Sequence, residues 1–259
     1  MLKIAVFNFK GGTGKSTTTL NLGASLATSK RKVLLIDLDG QRTLSFGLGL
    51  DGDAPTAMNW LSDGEVQPLE TKTKNLWLIP GDIGMFQLDA DSDLFTPALE
   101  KLKNFDICLM DCSPGLGIAS VQAILASDRV LIPVVGEPAV LKGLSEALQL
   151  IKGERPDVPI DVARVRYRSQ LVITREADNL LTESAEESGY TLFKTLIPEN
   201  IAVAEAIAQQ IPVIDYAPRS PGAKAYKALA NECMRLWKWT TREWAEWNWV
   251  TSLVSKNLQ

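Results

Sequence analysis

The sequence predicts an α/β fold in which a mostly parallel, twisted sheet carries helices on both faces. Short, mainly apolar runs alternate along the chain with longer segments of helical periodicity. Continuous apolar runs are typical of strands buried on both faces, and strands that alternate with helices are joined by right-handed crossovers. The predicted strands are residues 2–8, 32–37, 75–80, 105–111 and 129–135.

Two helical segments and one loop follow from the same pattern. Residues 15–28 follow the first predicted strand and residues 138–152 follow the fifth, so each supplies a crossover connection. Residues 46–56 are rich in Gly and Asp and predict a long surface loop at the carboxyl end of a strand. Ligands bind at that edge of open α/β sheets, so we expect the functional site there.

The composition is that of an ordinary globular protein, and it excludes several kinds of site. With 259 residues, of which 46% are hydrophobic and 22% charged, we expect a single domain with one core. The chain has no histidine, which excludes His-based catalytic triads and the common His-containing zinc sites. Three cysteines, no recognisable leader and no apolar run long enough to span a membrane predict a cytoplasmic protein.

A glycine-rich segment between the first strand and the first helix predicts the phosphate-binding loop of a P-loop NTPase. Its sequence, KGGTGKST, lets successive backbone N–H groups point inward around phosphate oxygens at the positive end of a helix. In such a loop Lys15 reaches the β- and γ-phosphates and Ser16 ligates Mg²⁺. The alternative is a glycine-rich turn that binds nothing. The residues assigned to the nucleotide are Lys10, Gly11, Gly12, Thr13, Gly14, Lys15, Ser16 and Thr17.

The start of this loop departs from the usual pattern, G-x-x-x-x-G-K-[ST]. Phe9 stands at the first glycine position, and Lys10 stands beside it. KGGTGKST resembles the deviant Walker A signature of the ParA/MinD family. The resemblance implies that Lys10 crosses into a partner subunit and touches its nucleotide, so that ATP is sandwiched in a homodimer. The alternative is a solvated lysine beside the loop.

Aspartates at the ends of two predicted strands complete the predicted site. Residues 37–41, DLDGQ, resemble the family's switch I, which implies that Asp39 positions the attacking water and that Asp37 supports the metal region. Asp111 resembles the Walker B aspartate that binds Mg²⁺ directly or through water, while Ser113 replaces the first proline of the family's D-x-P-P pattern. A plain strand-end or helix-capping role is the alternative for these aspartates. The catalytic assignments are Lys10, Lys15 and Asp39, and the metal assignments are Ser16, Asp37 and Asp111.

A second block of resemblance lies in the C-terminal third. Residues 195–232 follow the ParA pattern of I-P-x-N, E-A, P-V, Y and S-x-G-A-x-A-Y. The resemblance covers about residues 1–236, in a short form without the N-terminal DNA-reading domain of some relatives, and we expect residues 237–259 to form a Trp-rich helical extension of the same domain. It implies that Pro198 and Asn200 border the adenine. A structural turn and helix cap is the alternative for these two residues.

The expected DNA-contacting surface differs from that of the family. ParA relatives that bind DNA without sequence preference carry arginines where this chain has Glu199 and Ala202. A net charge of −4 argues against a surface coated in basic residues, although a local patch is compatible with it. Alternating arginines would share one face of a strand, and the alternative is a charged, solvated edge strand. The candidates for contact with DNA phosphates are Arg164, Arg166, Arg168 and Arg175.

Five of the seven tryptophans lie near the end of the sequence. Helical spacing places three of them, including Trp237, on one face with Tyr226, Leu229, Cys233 and Leu236, so we expect the final helix to continue past the family's usual end. Because acidic residues offset the basic ones, we expect packing against the domain, a dimer mate or a partner rather than a membrane. The tryptophans are Trp237, Trp239, Trp244, Trp247 and Trp249.

Three classes of function are compatible with these motifs. The leading hypothesis is a ParA-type ATPase that dimerises with ATP and Mg²⁺, binds nucleoid DNA non-specifically, and positions a plasmid, a chromosome region or a protein compartment such as a carboxysome. The resemblance implies a ParB-like or adaptor protein that stimulates hydrolysis, and a cytoplasmic, nucleoid-associated location. The alternatives are a MinD-like ATPase that cycles on membranes, and a metabolic enzyme such as a dethiobiotin synthetase-like ligase or an iron–sulfur reductase. The ParA-like block opposes the ligase, and no cysteine pair suited to a bridging cluster is evident.

Overall fold

An eight-stranded sheet organises the residues that the structure describes, which are 1–63, 66–137 and 139–237 of a computed structural model. The strand order is β3-β4-β2-β5-β1-β6-β7-β8. Neighbouring strands are parallel except β3, which is antiparallel to β4. The strands are β1 Leu2–Val6, β2 Val33–Leu38, β3 Leu69–Glu70, β4 Leu76–Ile79, β5 Ile107–Cys112, β6 Arg129–Val135, β7 Ile160–Tyr167 and β8 Thr191–Pro198.

Helices connect the parallel strands and cover both faces of the sheet, as crossover connections require. None of the helices in the described ranges is long and apolar enough to cross a membrane. The helices are α1 Lys15–Leu26, α2 Thr43–Gly47, α3 Ala57–Asp63, α4 Phe95–Glu100, α5 Ile118–Ala126, α6 Val140–Glu154, α7 Val172–Ser188, α8 Ile201–Ala208, α9 Val213–Tyr216 and α10, residues 221–237, with a 3-10 helix at Ile83–Gln87.

The predicted α/β fold is confirmed, and all five predicted strands form. They are β1, β2, β4, β5 and β6, which occupy the sheet from its centre outward on both sides. Element ends differ by a few residues: β1 ends at Val6, two residues before the predicted end, and α1 ends at Leu26. The loop predicted from residue 46 begins after Gly47, where α2 ends.

The sheet separates two hydrophobic cores, because side chains alternate between the faces of a strand. In β2, Leu34 and Ile36 belong to one core, while Val33 and Leu35 belong to the other. The second core lies under α1 and α10 and contains apolar residues from both helices. Helix α1, which carries the phosphate loop at its start, is therefore fixed between the sheet and the C-terminal helix.

Helix α10 is anchored to the sheet at its last described residue. The indole Nε1 of Trp237 donates to Asp161 Oδ2 at 2.9 Å, and Arg129 donates to both oxygens of Asp161 at 2.8 Å each. Tyr226 is buried as expected, but Leu236 is exposed, so its predicted place on the buried face is wrong. The Leu236 side chain lies on the side of the helix that faces away from the sheet. The remaining tail tryptophans, Trp239, Trp244, Trp247 and Trp249, lie outside the described residues, as does the predicted extension beyond residue 237.

Candidate active site

Three of the predicted motifs meet at the carboxyl edge of the sheet. Strand β5 lies between β1 and β2, and Asp111 on β5 is in register with Val6 on β1 and with Asp37 on β2. The phosphate loop, residues 10–17, follows β1, and Asp39 follows β2. Parallel strands end at the same edge, so motifs distant in sequence become neighbours there.

The phosphate loop adopts the turn that its glycines permit. Gly12 and Gly14 have φ angles of 73° and 82°, in the left-handed region that favours glycine. Lys15 opens α1, and its Nζ donates to the carbonyl oxygens of Asn8 and Lys10 at 3.2 Å each. The loop therefore wraps around a buried ammonium group at the positive end of a helix, an arrangement that suits phosphate.

Burial weakens the charged form of Lys15. It lowers the pKa of the Lys15 ammonium, while the negative charges of Asp111 and Asp39 act in the opposite direction. Its hydrogen-bond acceptors are neutral carbonyl groups rather than a carboxylate. An ammonium taken out of water in this way gains strongly from an anionic partner, because phosphate oxygens replace the lost hydration.

Asp111 is a buried carboxyl group with one unpartnered oxygen. Its Oδ1 accepts from the hydroxyl of Thr19 at 3.2 Å, while Oδ2 has no hydrogen-bond partner within the described part of the chain. Burial first, and then the charge of Asp37, raise the pKa of Asp111 well above its usual range, whereas Ser16 and Lys15 act against this shift. A buried carboxylate of this kind is destabilising unless a cation or a donor completes its contacts.

The oxygen donors around Asp111 fit Mg²⁺ that is shared with a phosphate. Mg²⁺ prefers oxygen ligands and is usually held by one or two carboxylates together with substrate phosphates and water. Across the described ranges, no group of three or more His, Cys, Asp or Glu side chains is placed to hold a metal without such help. The Ser16 hydroxyl interacts with Asp111, whose Oδ2 is unpartnered, so these two residues would hold the ion.

Asp37 and Asp39 differ in what their oxygens contact. Asp37 Oδ1 accepts from the Asp39 N–H at 3.1 Å, and Oδ2 accepts from the N–H and the hydroxyl of Ser45 at 2.9 and 2.6 Å. Burial raises the pKa of Asp37 to about 6. One oxygen of Asp39 accepts from the Gln41 N–H at 2.9 Å. Asp37 therefore braces the turn that carries Asp39, and its predicted role in the metal region stays a prediction.

Hydrogen bonds hold the loop after β5 where the family's pattern has a proline. The hydroxyls of Ser113 and Ser120 lie 3.1 Å apart, and Ser120 Oγ also donates to the Ser113 carbonyl at 3.3 Å. The N–H of Gly115 donates to the carbonyl of Phe9 at 3.2 Å. The serine thus ties this loop to the start of α5, and Gly115 ties it to the phosphate loop.

Lys10 lies at the rim of the loop and pairs with an acidic residue of its own chain. Its Nζ is 2.8 Å from Glu137 Oε2, and the side chains of Lys10 and Glu137 are 60% and 48% exposed. This hydrogen bond lowers the pKa of the Glu137 carboxyl. The Lys10 backbone is fixed, because its N–H donates to Asn8 Oδ1 at 3.0 Å. Lys10 therefore offers a second, outward positive charge beside the buried one of Lys15.

A cavity of about 300 Å³ opens beside the phosphate loop. Gly14 of the phosphate loop and Thr17 of α1 line it on one side, and Pro198 at the end of β8 and Asn200 just before α8 line it on the other. Asn200 Oδ1 also accepts from the Gly222 N–H at 3.3 Å, so this side chain has a structural role as well. Apolar walls with a few polar groups suit a planar base, and base contact by Pro198 and Asn200 stays a prediction. Further lining residues are Val165, Val203, Ile207 and Tyr226.

The arginines predicted to contact DNA do not share one strand face, so that expectation is wrong. Arg164 is buried, where it pairs with Asp178 and donates to a backbone carbonyl of β8. Arg166, with a φ of 51°, lies at an irregularity in the pairing of β7 with β8, and Arg168 lies beyond the end of β7. Both donate to Glu199. The irregular pairing and the ion pairs thus separate Arg164, which pairs with Asp178, from Arg166 and Arg168, which share Glu199.

The fourth candidate, Arg175, is exposed on α7 and donates to the carbonyl of Ser169 at 2.9 Å. Its guanidinium is thus engaged by a neutral acceptor, and it forms no salt bridge with the acidic residues that the structure describes. Contact of Arg175 with DNA stays a prediction.

Several residues of the site were not found from the sequence. Glu137, Thr19 and Ser45 contact Lys10, Asp111 and Asp37, respectively. Of these, only Thr19 could have been predicted from the sequence, because it lies one helical turn after Lys15 on the same side of α1. Glu137 and Ser45 have no such sequence signal. Glu137 follows β6, and Ser45 lies on α2, so their contacts depend on how these elements meet at the sheet edge.

Comparison with known proteins agrees with this geometry. Residues 1–157 match the family of AAA domains. The Bacillus subtilis sporulation initiation inhibitor protein Soj is 34% identical over 246 residues, which cover 88% of this chain and 96% of Soj. The chain belongs to the ParA/Soj family of P-loop ATPases. The Myxococcus xanthus chromosome partitioning protein ParA is 32% identical over 253 residues, which cover 90% of this chain and 87% of that ParA.

A solved structure extends the comparison to the ligand. The septum site-determining protein MinD of Pyrococcus horikoshii OT3, complexed with Mg-ADP, superposes with a TM-score of 0.75 at 27% identity, covering 91% of this chain and 97% of that MinD. This ParA-type ATPase is an ATP hydrolase that uses ATP and Mg²⁺.

The site is built for phosphoryl transfer by positioning and charge. Bound Mg²⁺ neutralises developing charge on the phosphates. Lys15 and the N–H groups of the loop would bind phosphate oxygens, Ser16 and Asp111 would hold the ion, and Asp39 would be the carboxylate left to orient a water. Each of these groups is fixed by a strand end, a helix start or a backbone hydrogen bond.

Proposed function

We propose that this ATPase forms a homodimer with ATP sandwiched between two subunits, binds nucleoid DNA without sequence preference, and positions a cargo through partner-stimulated hydrolysis. The exposed Lys10 carries the proposal. Its side chain is 60% exposed beside a loop in which Lys15 already supplies the buried positive charge. An outward lysine at this rim is suited to a triphosphate bound in a facing subunit, where extra positive charge is needed in a dry interface.

Exposed apolar side chains around the same rim support a dimer face. Phe9 precedes Lys10 and is 42% exposed, and Leu116, in the loop after β5, is also 42% exposed. Val172, at the start of α7, is 59% exposed, and Thr174, two residues later, donates to the carbonyl of Gly136 beside Glu137. Apolar residues clustered at a charged rim are typical of an interaction surface.

The wider function follows from the relatives. Soj and ParA relatives support a role in segregation, in which the ATP-bound dimer resides on the nucleoid in the cytoplasm. A ParB-like or adaptor protein on the cargo stimulates hydrolysis and releases the dimer from DNA. The cargo is a plasmid, a chromosome region or a protein compartment such as a carboxysome. Slow basal turnover suits such a switch, because the partner completes or rearranges the site.

The Asp39→Ala variant tests the cycle. We expect it to bind ATP, to lose hydrolysis by about 100-fold because water is no longer positioned, and to accumulate as a dimer with ATP and Mg²⁺. Light scattering measures the dimer, phosphate release measures turnover, and Asp157→Asn on the exposed surface is the control. A monomer under these conditions contradicts the sandwich dimer.

DNA and membrane binding are separated in the same state. The ATP-bound protein is mixed with a mixed-sequence duplex and, separately, sedimented with anionic phospholipid vesicles. We expect DNA binding that requires ATP and weakens as salt rises. Vesicle binding without DNA binding would replace the nucleoid proposal with a MinD-like membrane cycle.

A further inference from the structure

Helix α10 exposes a row of basic side chains on the side away from its core. Lys224, Lys227, Asn231 and Arg235 are exposed and recur at intervals of three and four residues, so they lie along one side of the helix. We call this row the α10 basic face. From Lys224 to Arg235 it extends for about 16 Å at the rise of an α-helix.

The opposite side of α10 is used for packing. Its apolar residues are buried in the second core with α1 and the sheet, and Trp237 is hydrogen-bonded to Asp161. The basic face is therefore fixed in place by the fold of its own domain. The buried residues are Ala223, Tyr226, Leu229, Ala230, Cys233 and Trp237.

No carboxylate of α10 lies on this face. Glu232 is the acidic residue of the helix, and it is buried, with its two oxygens accepting from the N–H groups of Lys194 and Thr195 at 2.7 and 2.9 Å. Within residues 1–63, 66–137 and 139–237, Lys224, Lys227 and Arg235 form no salt bridge. Arg235 interacts electrostatically with the buried Glu232, but none of the three is held in an ion pair as Arg164, Arg166 and Arg168 are.

Two further basic residues lie next to the face. Arg219 is exposed in the turn before α10, and Lys194 is exposed on β8, whose backbone is bonded to Glu232. In a chain with a net charge of −4, this is a local concentration of positive charge. Such a patch is what an acidic protein requires to hold a polyanion.

We propose that the α10 basic face contacts the phosphate backbone of duplex DNA. Lys and Arg side chains supply charge-assisted contacts to phosphates, and the Asn231 amide supplies a neutral donor, without any sequence readout. The inference rests on the proposed function and names the surface through which it acts. In this proposal the α10 basic face, rather than the arginines of β7, makes the main contact with DNA.

The geometry favours DNA over a membrane as the occupant. A helix that lies in a membrane surface inserts its apolar side between lipids. The apolar side of α10 is buried in its own core, so the described part of this helix presents charge without an insertable face. A polyanion with closely spaced phosphates is the partner that fits such a row.

Dependence on ATP follows from doubling the face. One row of three charges gives weak binding at physiological salt, whereas two rows carried by a dimer engage the same duplex together. ATP thus controls DNA binding through dimerisation, which brings two α10 basic faces onto one duplex. No conformational change in α10 itself is needed.

The test removes the three charges and compares matched variants of the full chain. The face variant is Lys224→Gln/Lys227→Gln/Arg235→Gln. The control is Lys101→Gln/Lys103→Gln/Lys142→Gln, which lowers net charge equally on exposed positions of the turn after α4 and of α6. A third variant, Arg168→Gln/Arg175→Gln, tests the arginines near β7. Circular dichroism, melting temperature and ATP-dependent light scattering establish that each variant folds and dimerises.

Fluorescence anisotropy with a mixed-sequence duplex, ATP and Mg²⁺ across a salt series gives the result. We expect the face variant to bind more weakly and to lose about 0.9 of log–log salt slope for each phosphate contact removed, or about 2.7 for each protomer. The control keeps the wild-type slope. A face variant that binds like wild type overturns the inference and leaves the proposed function standing, with the third variant showing whether the arginines carry the contact.

Wild type that dimerises with ATP but does not bind the duplex at low salt overturns the proposed nucleoid function itself. In that case, binding of anionic vesicles that the face variant loses would assign the face to lipid headgroups and overturn the DNA inference as well.

Discussion

Lys10 and Glu137 form an ion pair within one chain, with 2.8 Å between Nζ and Oε2. The family resemblance implies that Lys10 serves the nucleotide of a facing subunit, and one side chain cannot occupy both positions. Glu137 follows β6 and lies at the rim of the same edge as the phosphate loop. The pair therefore holds Lys10 in its own subunit, and dimerisation has to break it.

Removing the carboxylate should favour the dimer. In Glu137→Gln the Lys10 side chain is released, and because exposed ion pairs contribute roughly 0.2–1 kcal/mol, we expect the association constant with ATP to rise by up to about fivefold for each protomer. Light scattering across a protein dilution series with ATP and Mg²⁺ measures this. Lys10→Ala should bind ATP as a monomer, and adding Glu137→Gln to it should change nothing.

A weaker dimer in Glu137→Gln would mean that the carboxylate itself contributes to the interface. Dimerisation of Lys10→Ala at wild-type strength would mean that Lys10 is a surface charge, as the alternative interpretation of the sequence has it.

Lys15 should be indispensable for nucleotide binding. Its ammonium is buried, donates to the carbonyl oxygens of Asn8 and Lys10, and is surrounded by the loop that presents N–H groups. We expect Lys15→Ala to abolish ATP binding in calorimetry, whereas Lys142→Ala on exposed α6 binds normally. Equal affinity of wild type and Lys15→Ala would exclude the phosphate-loop assignment.

The Asp111 carboxylate should lower the stability of the nucleotide-free protein and be required for Mg²⁺ binding. Its folded pKa is raised, so its ionised form at neutral pH opposes folding, and Oδ2 is buried without a partner. We expect Asp111→Asn to raise the melting temperature of the nucleotide-free protein by a few degrees, at about 2–4 °C per kcal/mol. The variant should lose the added stabilisation that Mg²⁺ gives to ATP-bound wild type.

Differential scanning fluorimetry with and without ATP, Mg²⁺ and EDTA provides the comparison for Asp111→Asn. Asp157→Asn, which changes an exposed carboxylate, should leave every condition as in wild type. A nucleotide-free Asp111→Asn protein that melts below wild type would show that the carboxylate stabilises the fold.

The features that the sequence predicted correctly are those that depend on residues close together in the chain. Continuous apolar runs predicted the central strands, and the glycines and lysines of residues 10–17 predicted the loop, because each depends on neighbours in the chain. The partners of Lys10 and Arg164 could not be predicted this way. Glu137 is 127 residues from Lys10, and Asp178 lies on a helix that packs beside β7 only after folding.

The prediction that Arg164, Arg166 and Arg168 share one strand face was wrong for a related reason. Alternation predicts a shared face only in a regular strand, and β7 is irregular between Arg164 and Tyr167. The α10 basic face does not follow from the apolar spacing of the helix, which predicts only its core side. Its significance depends on Glu232 being buried, which composition does not reveal.

Trp237 should stabilise the fold through its contact with a buried ion pair. Its indole N–H donates to Asp161, which already accepts two hydrogen bonds from Arg129. Trp237→Phe keeps most of the apolar volume but removes this donor, so we expect a loss of roughly 1–2 kcal/mol in the free energy of unfolding. Leu236→Gln, on the exposed side of the same turn, should change it by less than about 0.5 kcal/mol.

A double-mutant cycle separates the hydrogen bond from packing. Asp161→Asn alone leaves the Arg129 charge buried and should be strongly destabilising, by roughly 3–5 kcal/mol. In that background Trp237→Phe should cost less than it does alone, because the acceptor of its hydrogen bond has been weakened. Urea unfolding of the four proteins gives the coupling, and additive effects would mean that Trp237 stabilises α10 through packing only. ATP affinity should stay at the wild-type value in Trp237→Phe, since the anchor lies at the edge of the sheet opposite the phosphate loop.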